Sequence, residues 1–81
     1  MRQYQEDIIN AIYNKKTWGG NNVVVKTDNN VTEVFYYGNK IAVIDHNTKS
    51  ATFDNCGYTN ASTTARINAC KMYCDNYGYT Y

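Results

Sequence analysis

The two ends of the chain space their apolar residues as helices do, whereas the middle alternates apolar and polar residues with a period of two. In residues 3–15, one apolar face is formed by Tyr4, Ile8, Ile9 and either Ala11 or Ile12. Glu6 and Asp7 lie in the first turns and Lys15 and Lys16 at the end, which suits the helix dipole. The pattern therefore predicts a first helix over residues 3–15, and Trp18-Gly19-Gly20 ends it.

Four segments in the middle of the chain have the composition and alternation of β-strands. They are separated by short polar turns, among them Asp28-Asn29-Asn30 and Gly38-Asn39. We interpret Gly38-Asn39 as a two-residue hairpin turn with glycine first. The predicted strands cover residues 22–27, 31–37, 40–45 and 50–54. Short connections favour sequential antiparallel pairing of these strands, so the sequence predicts a four-stranded meander.

A second helix is predicted from Asn60 to about Asn76, with Gly78 as its left-handed stop. Its start has three competing cap residues, and its predicted buried stripe is Ile67, Cys70, Cys74 and Tyr77. Three charged residues are expected away from that stripe: Arg66, Lys71 and Asp75. The predicted fold class is α+β, ordered α-β-β-β-β-α, in a single domain over residues 1–81. Both helices are expected on one face of the sheet.

The size and charge of the chain limit which classes of function it can have. A chain of 81 residues buries only about 60% of its unfolded surface, which leaves little room for a deep catalytic cleft. Eight basic and seven acidic residues are scattered along the chain, so neither a basic stripe for a polyanion nor an acidic mimic of DNA is present. No segment has the length of a membrane span and the N-terminus lacks a signal-peptide core, so we expect a cytoplasmic protein.

Three cysteines and one histidine are the candidate metal ligands. A structural zinc site needs four ligands with closely spaced pairs, and His46 and Cys56 do not form a compact pair to match Cys70 and Cys74. A disulfide between Cys56 and one helical cysteine is a further alternative. In a reducing compartment we expect partly buried free thiols instead, with no metal and no cofactor.

Residues for catalysis are sparse. A Cys–His pair would need His46, which lies in the polar turn Asp45-His46-Asn47 and is interpreted as a solvated loop residue. Asp45 and Asp54 could be neighbours across a hairpin, but no further residue marks them as an acid–base couple. The sequence therefore predicts a protein that is not an enzyme.

Nine tyrosines are the most distinctive part of the composition. Tyr36-Tyr37 is expected to place one ring on each face of a strand, and four more tyrosines crowd the C-terminus. Tyrosine with asparagine, serine and glycine is typical of binding surfaces, because it combines rigid area with adaptable hydrogen bonding. Two alternatives stay open at this point: the rings cover a thin core, or they stack bases of a single-stranded nucleic acid.

Two short segments and a helix start resemble a group of small, largely uncharacterised bacteriophage proteins. They are Gly38-Asn39-Lys40-Ile41-Ala42, Asn55-Cys56-Gly57-Tyr58, and the polar positions Thr64, Arg66 and Asn68. The resemblance covers roughly residues 18–70 and names no activity. Tyr58 stands where tryptophan is expected to be common, and Ile67 where leucine is.

The resemblance implies a non-catalytic phage accessory protein that acts by stoichiometric protein binding. Its most specific form is inhibition of a bacterial defence system, as anti-CRISPR proteins do, and the alternative is a small nucleic-acid-binding or regulatory module. The expected partner is a host protein or defence complex, with nucleic acid less favoured and no membrane. The expected contact residues are Tyr36, Tyr37, Arg66 and Asn68.

Overall fold

The computed structural model of the chain describes residues 2–81, which form two helices and one antiparallel sheet. The elements in chain order are α1 (Gln3–Asn14), β1 (Trp18–Gly20), β2 (Val23–Asp28), β3 (Val31–Tyr36), β4 (Asn39–Asp45), β5 (Ser50–Phe53) and α2 (Ala61–Tyr77). Each strand pairs with the next in sequence, in the order β1-β2-β3-β4-β5. The predicted α+β class and the antiparallel meander are therefore confirmed.

Both helices pack against one face of the sheet and against each other. α1 contacts β1 and β2, whereas α2 contacts β4 and β5. The residues between helices and sheet are fully or almost fully buried and include Ile8, Ile12, Val25, Val34, Ile44, Cys70 and Cys74. On the other face, aligned partners such as Lys26 and Glu33 extend into solvent. Neither described helix has the length and apolar character needed to cross a membrane.

The predicted strand number is wrong by one, because Trp18–Gly20 forms a strand rather than a break. β1 pairs with β2 in the register Trp18↔Val25 and Gly20↔Val23, through a two-residue turn at Asn21-Asn22. Both asparagines have positive φ, at 51° and 65°, as a type I′ hairpin turn requires. Two glycines normally weaken a strand. Here the Trp18 ring lies beside Gly20, where an added Cβ would come within 2.9 Å of it.

The β3–β4 turn lies one residue earlier than the sequence predicts. Its central residues are Tyr37 and Gly38, with φ of 50° and 78°, and Tyr36 pairs with Asn39. The register then shifts at Val34/Phe35, where Ile41 is the extra residue of a β-bulge. Because of this bulge Ile44 pairs with Thr32 and faces the helices, whereas an unbroken register would turn it to solvent.

The second helix begins and ends close to its predicted limits. Asn60 is the cap, since its Oδ1 accepts a hydrogen bond from the Thr63 backbone N–H at 2.9 Å. Gly78 ends the helix at φ 74° and donates its N–H to the Cys74 carbonyl, as predicted. The buried stripe differs from the prediction at one position: Tyr77 is 43% exposed, and Tyr73 is buried with 4% exposed.

Candidate functional site

An open groove of about 480 Å³ lies between the tip of the β3–β4 hairpin and the start of α2. Below it is called the aromatic groove. Three tyrosine rings, one isoleucine and four uncharged polar residues line it: Tyr36, Tyr37, Tyr58, Ile41, Asn39, Asn60, Ser62 and Thr63. Two of the four predicted contact residues, Tyr36 and Tyr37, are therefore in the groove.

Tyr37 is held in the groove by an unusual backbone conformation. Its φ of 50° lies in the left-handed region, which a bulky residue rarely adopts. The turn brings the ring back against Tyr36, edge to face, with centroids 4.8 Å apart, so the two rings do not lie on opposite faces of a strand as predicted. Asn22 Nδ2 donates to the Tyr37 hydroxyl at 3.0 Å, and 66% of the residue stays exposed.

Tyr58 projects into the groove from a loop that is fixed by its own hydrogen bonds. Asp54 Oδ1 accepts the Cys56 N–H and Asn55 Oδ1 accepts the Gly57 N–H, at 2.8 and 2.9 Å. Cys56 and Gly57 both have positive φ, and the Cys56 thiol donates to the Lys40 carbonyl at 3.3 Å. Tyr58 itself is 52% exposed. The two segments that carry the phage resemblance therefore meet at this groove.

The sequence interpretation left Tyr58 out of the predicted site. A signal for it existed, because Asn55-Cys56-Gly57 has the composition of a tight turn and such a turn presents the following side chain.

Arg66 is the third predicted contact residue, and it stacks between two rings rather than lying in solvent. Its guanidinium carbon is 4.1 Å from the ring centroid of Tyr4 and 4.7 Å from that of Tyr36. Nη1 donates to the Ser62 carbonyl at 3.2 Å, whereas the buried Nε has no hydrogen-bond partner within residues 2–81. The expectation that Arg66 lies away from the buried face of α2 is wrong, and its stacking supports the Tyr36 ring from behind the groove.

Asn68, the fourth predicted contact residue, is exposed and does not line the groove. Residues two apart on a helix point in directions that differ by roughly 200°. Asn68 is therefore on nearly the opposite side of α2 from Arg66. The structure brings Tyr36, Tyr37 and Arg66 into one contiguous cluster and leaves Asn68 outside it.

The groove contains no charged lining residue among those described. Two cations adjoin lining residues and have partners of their own: Arg66 is stacked between rings, and Lys40 Nζ lies 2.7 Å from the Glu33 carboxylate. The ligand chemistry of the groove is thus aromatic stacking combined with neutral amide and hydroxyl hydrogen bonds.

A second polar cluster lies at the other end of the sheet, around His46, and below it is called the histidine network. His46 Nε2 is 2.6 Å from Thr32 Oγ1, and Nδ1 is 2.6 Å from the Tyr79 hydroxyl. Thr32 Oγ1 is hydrogen-bonded to Thr27 Oγ1 at 2.7 Å, and the Tyr73 hydroxyl donates to that of Tyr79 at 3.2 Å. His46 is 8% exposed, so its interpretation as a solvated loop residue is wrong.

Burial favours the neutral forms of His46 and Tyr73. Desolvation lowers the pKa of His46, the charge of Lys15 lowers it further, and Asp45 opposes both. Desolvation and the Tyr79 hydrogen bond raise the pKa of Tyr73. A neutral imidazole offers one donor and one acceptor, which matches two hydroxyl neighbours. The network is fully partnered and joins the sheet to α2 and the C-terminal residues.

The three cysteines and the carboxylates of Asp45 and Asp54 are the remaining candidates for metal binding, a disulfide or catalysis. All three cysteines are free, and burial raises the pKa of Cys70 to about 12 and that of Cys74 to about 11. Within residues 2–81 no three His, Cys, Asp or Glu side chains cluster as metal ligands. Asp45 pairs with Ser50, so Asp54 lies at the opposite end of the β4–β5 hairpin and the two carboxylates are not neighbours.

By sequence, the chain matches a known protein family. The family model described as Kyanoviridae Gp96 protein matches residues 1–80. Neither a curated protein nor a solved structure matches the chain.

Proposed function

Since the chain belongs to the Kyanoviridae Gp96 protein family, and is therefore a small phage protein, we propose that it acts by stoichiometric binding to a host protein. The observation that supports this role is the aromatic groove, where tyrosines from the β3–β4 hairpin and from the loop before α2 surround neutral amide and hydroxyl groups. Tyrosine rings give large contact area at low conformational entropy cost, and asparagine and serine adapt their hydrogen bonds to a partner. In this proposal the protein is not an enzyme.

The proposed contact surface is centred on Tyr37, with Tyr36 and Tyr58 beside it. Tyr37 and Tyr58 are the most accessible of these rings, whereas Arg66 acts through its stack on Tyr36. Energetic anchors of interfaces are enriched in tyrosine and arginine, which fits this arrangement. Asn68 stays a prediction from the sequence: its exposed side chain contributes only if the partner also reaches the outer side of α2.

The specific form that we propose is inhibition of a bacterial defence system in the host cytoplasm, an anti-CRISPR-like role. Support for this step comes from the phage family and from the small size of the chain. An inhibitor that acts one to one needs a surface that binds its target and needs no catalytic groups. The groove fits this description, because its lining is aromatic and uncharged.

Plaque formation tests the inhibitor role directly. A host with an active CRISPR system is infected by a phage that this system targets, with and without expression of the protein. We expect the protein to restore plaques only in the targeting strain, and Tyr37→Asn to reduce the rescue. The anti-CRISPR form is contradicted if wild-type protein, confirmed as soluble and folded, leaves plaque counts unchanged.

Affinity purification from nuclease-treated lysate identifies the partner class. Wild-type and Tyr37→Asn proteins are used as paired baits, and a true partner is retained by the first and lost by the second. The salt dependence of the interaction then distinguishes the alternative function. Binding through phosphates loses affinity steeply with salt, whereas binding through an uncharged groove does not. A steep loss with salt would favour the nucleic-acid-binding module.

A further inference from the structure

Three hairpin turns of this sheet share one geometry but differ in residue type. Each has two central residues with positive φ: Asn21-Asn22, Asn29-Asn30 and Tyr37-Gly38. Asparagine tolerates the left-handed region because its short polar side chain bonds locally, whereas a bulky ring is strained there. The chain therefore uses the unstrained residue type at two turns and a tyrosine at the turn that borders the aromatic groove. Lys15 and Lys49 have similar φ values of 54° and 53° away from the groove, so the contrast applies to the two-residue hairpin turns alone. Strain of this kind clusters at binding and active sites when the surrounding structure holds it.

From this contrast we infer that Tyr37 is retained for binding, and that the aromatic groove takes an uncharged peptide segment of the partner that inserts one aromatic side chain. The inference rests on the proposed function and names the chemistry of its ligand. The groove volume of about 480 Å³ lies within the range of about 300–1,000 Å³ for sites that enclose compact ligands.

The lining of the groove favours a peptide over the other candidate ligands. Tyr36 and Tyr37 offer a ring edge and a ring face to an inserted aromatic group. The amides of Asn39 and Asn60 can each donate and accept, which matches the N–H and C=O groups of a peptide backbone.

Charge argues against a nucleotide in the groove. Lys40 is paired with Glu33 and Arg66 is stacked between two rings, and among residues 2–81 the groove lining itself has no cation to bind a phosphate. An acidic or basic side chain would likewise enter a groove without an opposite charge to stabilise it.

NMR titration with small probes of defined chemistry tests this inference. The probes are N-acetyl-tryptophanamide, N-acetyl-glutamate amide, N-acetyl-lysine amide and adenosine monophosphate, each added to the full chain. We expect the tryptophan probe alone to shift the backbone amides of Gly38, Tyr58 and Thr63, with weak affinity. Stronger binding of a charged amide or of the nucleotide overturns the inference, and so does the absence of groove shifts with every probe.

A reciprocal pair of variants separates binding from turn strain. Tyr37→Asn gives the groove turn the residue type of the other two turns, so we expect an equal or higher Tm together with at least about a tenfold loss of probe affinity. Asn29→Tyr places the tyrosine at the equivalent position of the β2–β3 turn, where we expect a lower Tm and unchanged probe binding. A marked fall in Tm for Tyr37→Asn would show that Tyr37 is retained for folding.

The two proposals can fail separately. A protein that rescues plaques while its groove ignores every probe keeps the inhibitor role and loses this ligand assignment. A groove that binds the tryptophan probe in a protein without effect on plaques keeps the ligand assignment and loses the defence role.

Discussion

The aromatic groove and the histidine network contain similar residues, but these residues are exposed in the groove and buried or hydrogen-bonded to one another in the network. In the histidine network, the hydroxyls of Thr32, Tyr73 and Tyr79 are hydrogen-bonded to one another or to His46, and the imidazole is buried. In the groove, Asn22 donates to the Tyr37 hydroxyl and hydrogen bonds fix the loop before Tyr58, yet both tyrosines remain more than half exposed.

The difference shows that one residue type is closed into a hydrogen-bonded network in one place and left exposed in another. A buried hydroxyl without a partner costs about 1–3 kcal/mol, so a closed network is favoured only when each of its members is satisfied. An exposed ring has no such requirement, and it keeps its contact area for a ligand. Composition alone, with its nine tyrosines, could not separate the two uses.

Among the variants that test this comparison, His46→Ala is expected to have the largest effect on stability. The substitution removes one hydrogen bond from each of Thr32 and Tyr79 and opens a cavity beside Tyr73, so we expect a loss of about 3 kcal/mol of unfolding free energy. Urea denaturation measures it. Tyr79→Phe is the graded control, since it keeps the ring and removes one hydroxyl, and should cost about 1–2 kcal/mol.

A loss below about 0.5 kcal/mol for His46→Ala would contradict the structural role of the histidine network. Binding of the tryptophan probe to the groove should be unchanged in both variants under conditions where they are folded, because neither residue lines the groove.

Arg66→Ala is expected to have the next largest effect on stability. The variant tests whether Arg66 belongs to the groove or to the folded core. Two stacked rings and a hydrogen bond to the Ser62 carbonyl hold the side chain, so we expect about 1–2 kcal/mol of lost stability. Arg66→Lys keeps the charge but lacks the planar group that stacks, and should recover less than half of the loss. Thermal denaturation of the three proteins measures the series.

The same series distinguishes a contact role for Arg66, as the sequence predicts, from a role in positioning Tyr36. If Arg66→Ala leaves stability unchanged and abolishes partner binding, the residue is a contact residue and the stacking is incidental. If stability and probe binding both fall, Arg66 positions Tyr36 for the groove.

Much of the fold was accessible from the sequence because local signals were strong. Helical spacing, Asn60 as one of three cap candidates and Gly78 as the stop located α2, and period-two alternation located four strands. β1 was missed because a Trp-Gly-Gly segment has weak strand propensity, and only its pairing with β2 defines it. The predicted β3–β4 turn lies one residue too late, and no local signal in the sequence indicates the β-bulge at Ile41 that turns Ile44 to the buried face.

The candidate site was accessible only in part. Tyr36 and Tyr37 could be named from composition, but Arg66 and Asn68 were grouped by adjacency although helical geometry places them on opposite sides of α2. The burial of His46 is not predictable from the sequence, because its partners Thr32 and Tyr79 are distant along the chain and a polar turn gives no sign of burial.

The smallest expected effect is a pH dependence of stability that arises from His46. In the unfolded chain the imidazole has its ordinary pKa of about 6.5, whereas burial and Lys15 lower its pKa in the folded protein and Asp45 only partly offsets them. Between the two values the unfolded state binds more protons, so unfolding free energy rises with pH. The full contribution is present above about pH 6.5 and is lost as the pH falls through that value toward the folded pKa.

Urea denaturation of the wild type at steps from pH 7.5 to 5 measures this slope, and His46→Gln provides the control. His46 is the one histidine of the chain, so the variant should be less stable throughout and nearly flat between pH 7 and 6. Stability that increases as the pH falls through this window would mean that Thr32 and Tyr79 accept from a charged imidazolium, contrary to the lowered pKa. Because no acidic, basic or histidine side chain among the described residues lines the aromatic groove, probe binding to it should stay constant while the fold weakens. A parallel fall in probe affinity would instead show that the two regions are coupled through the sheet.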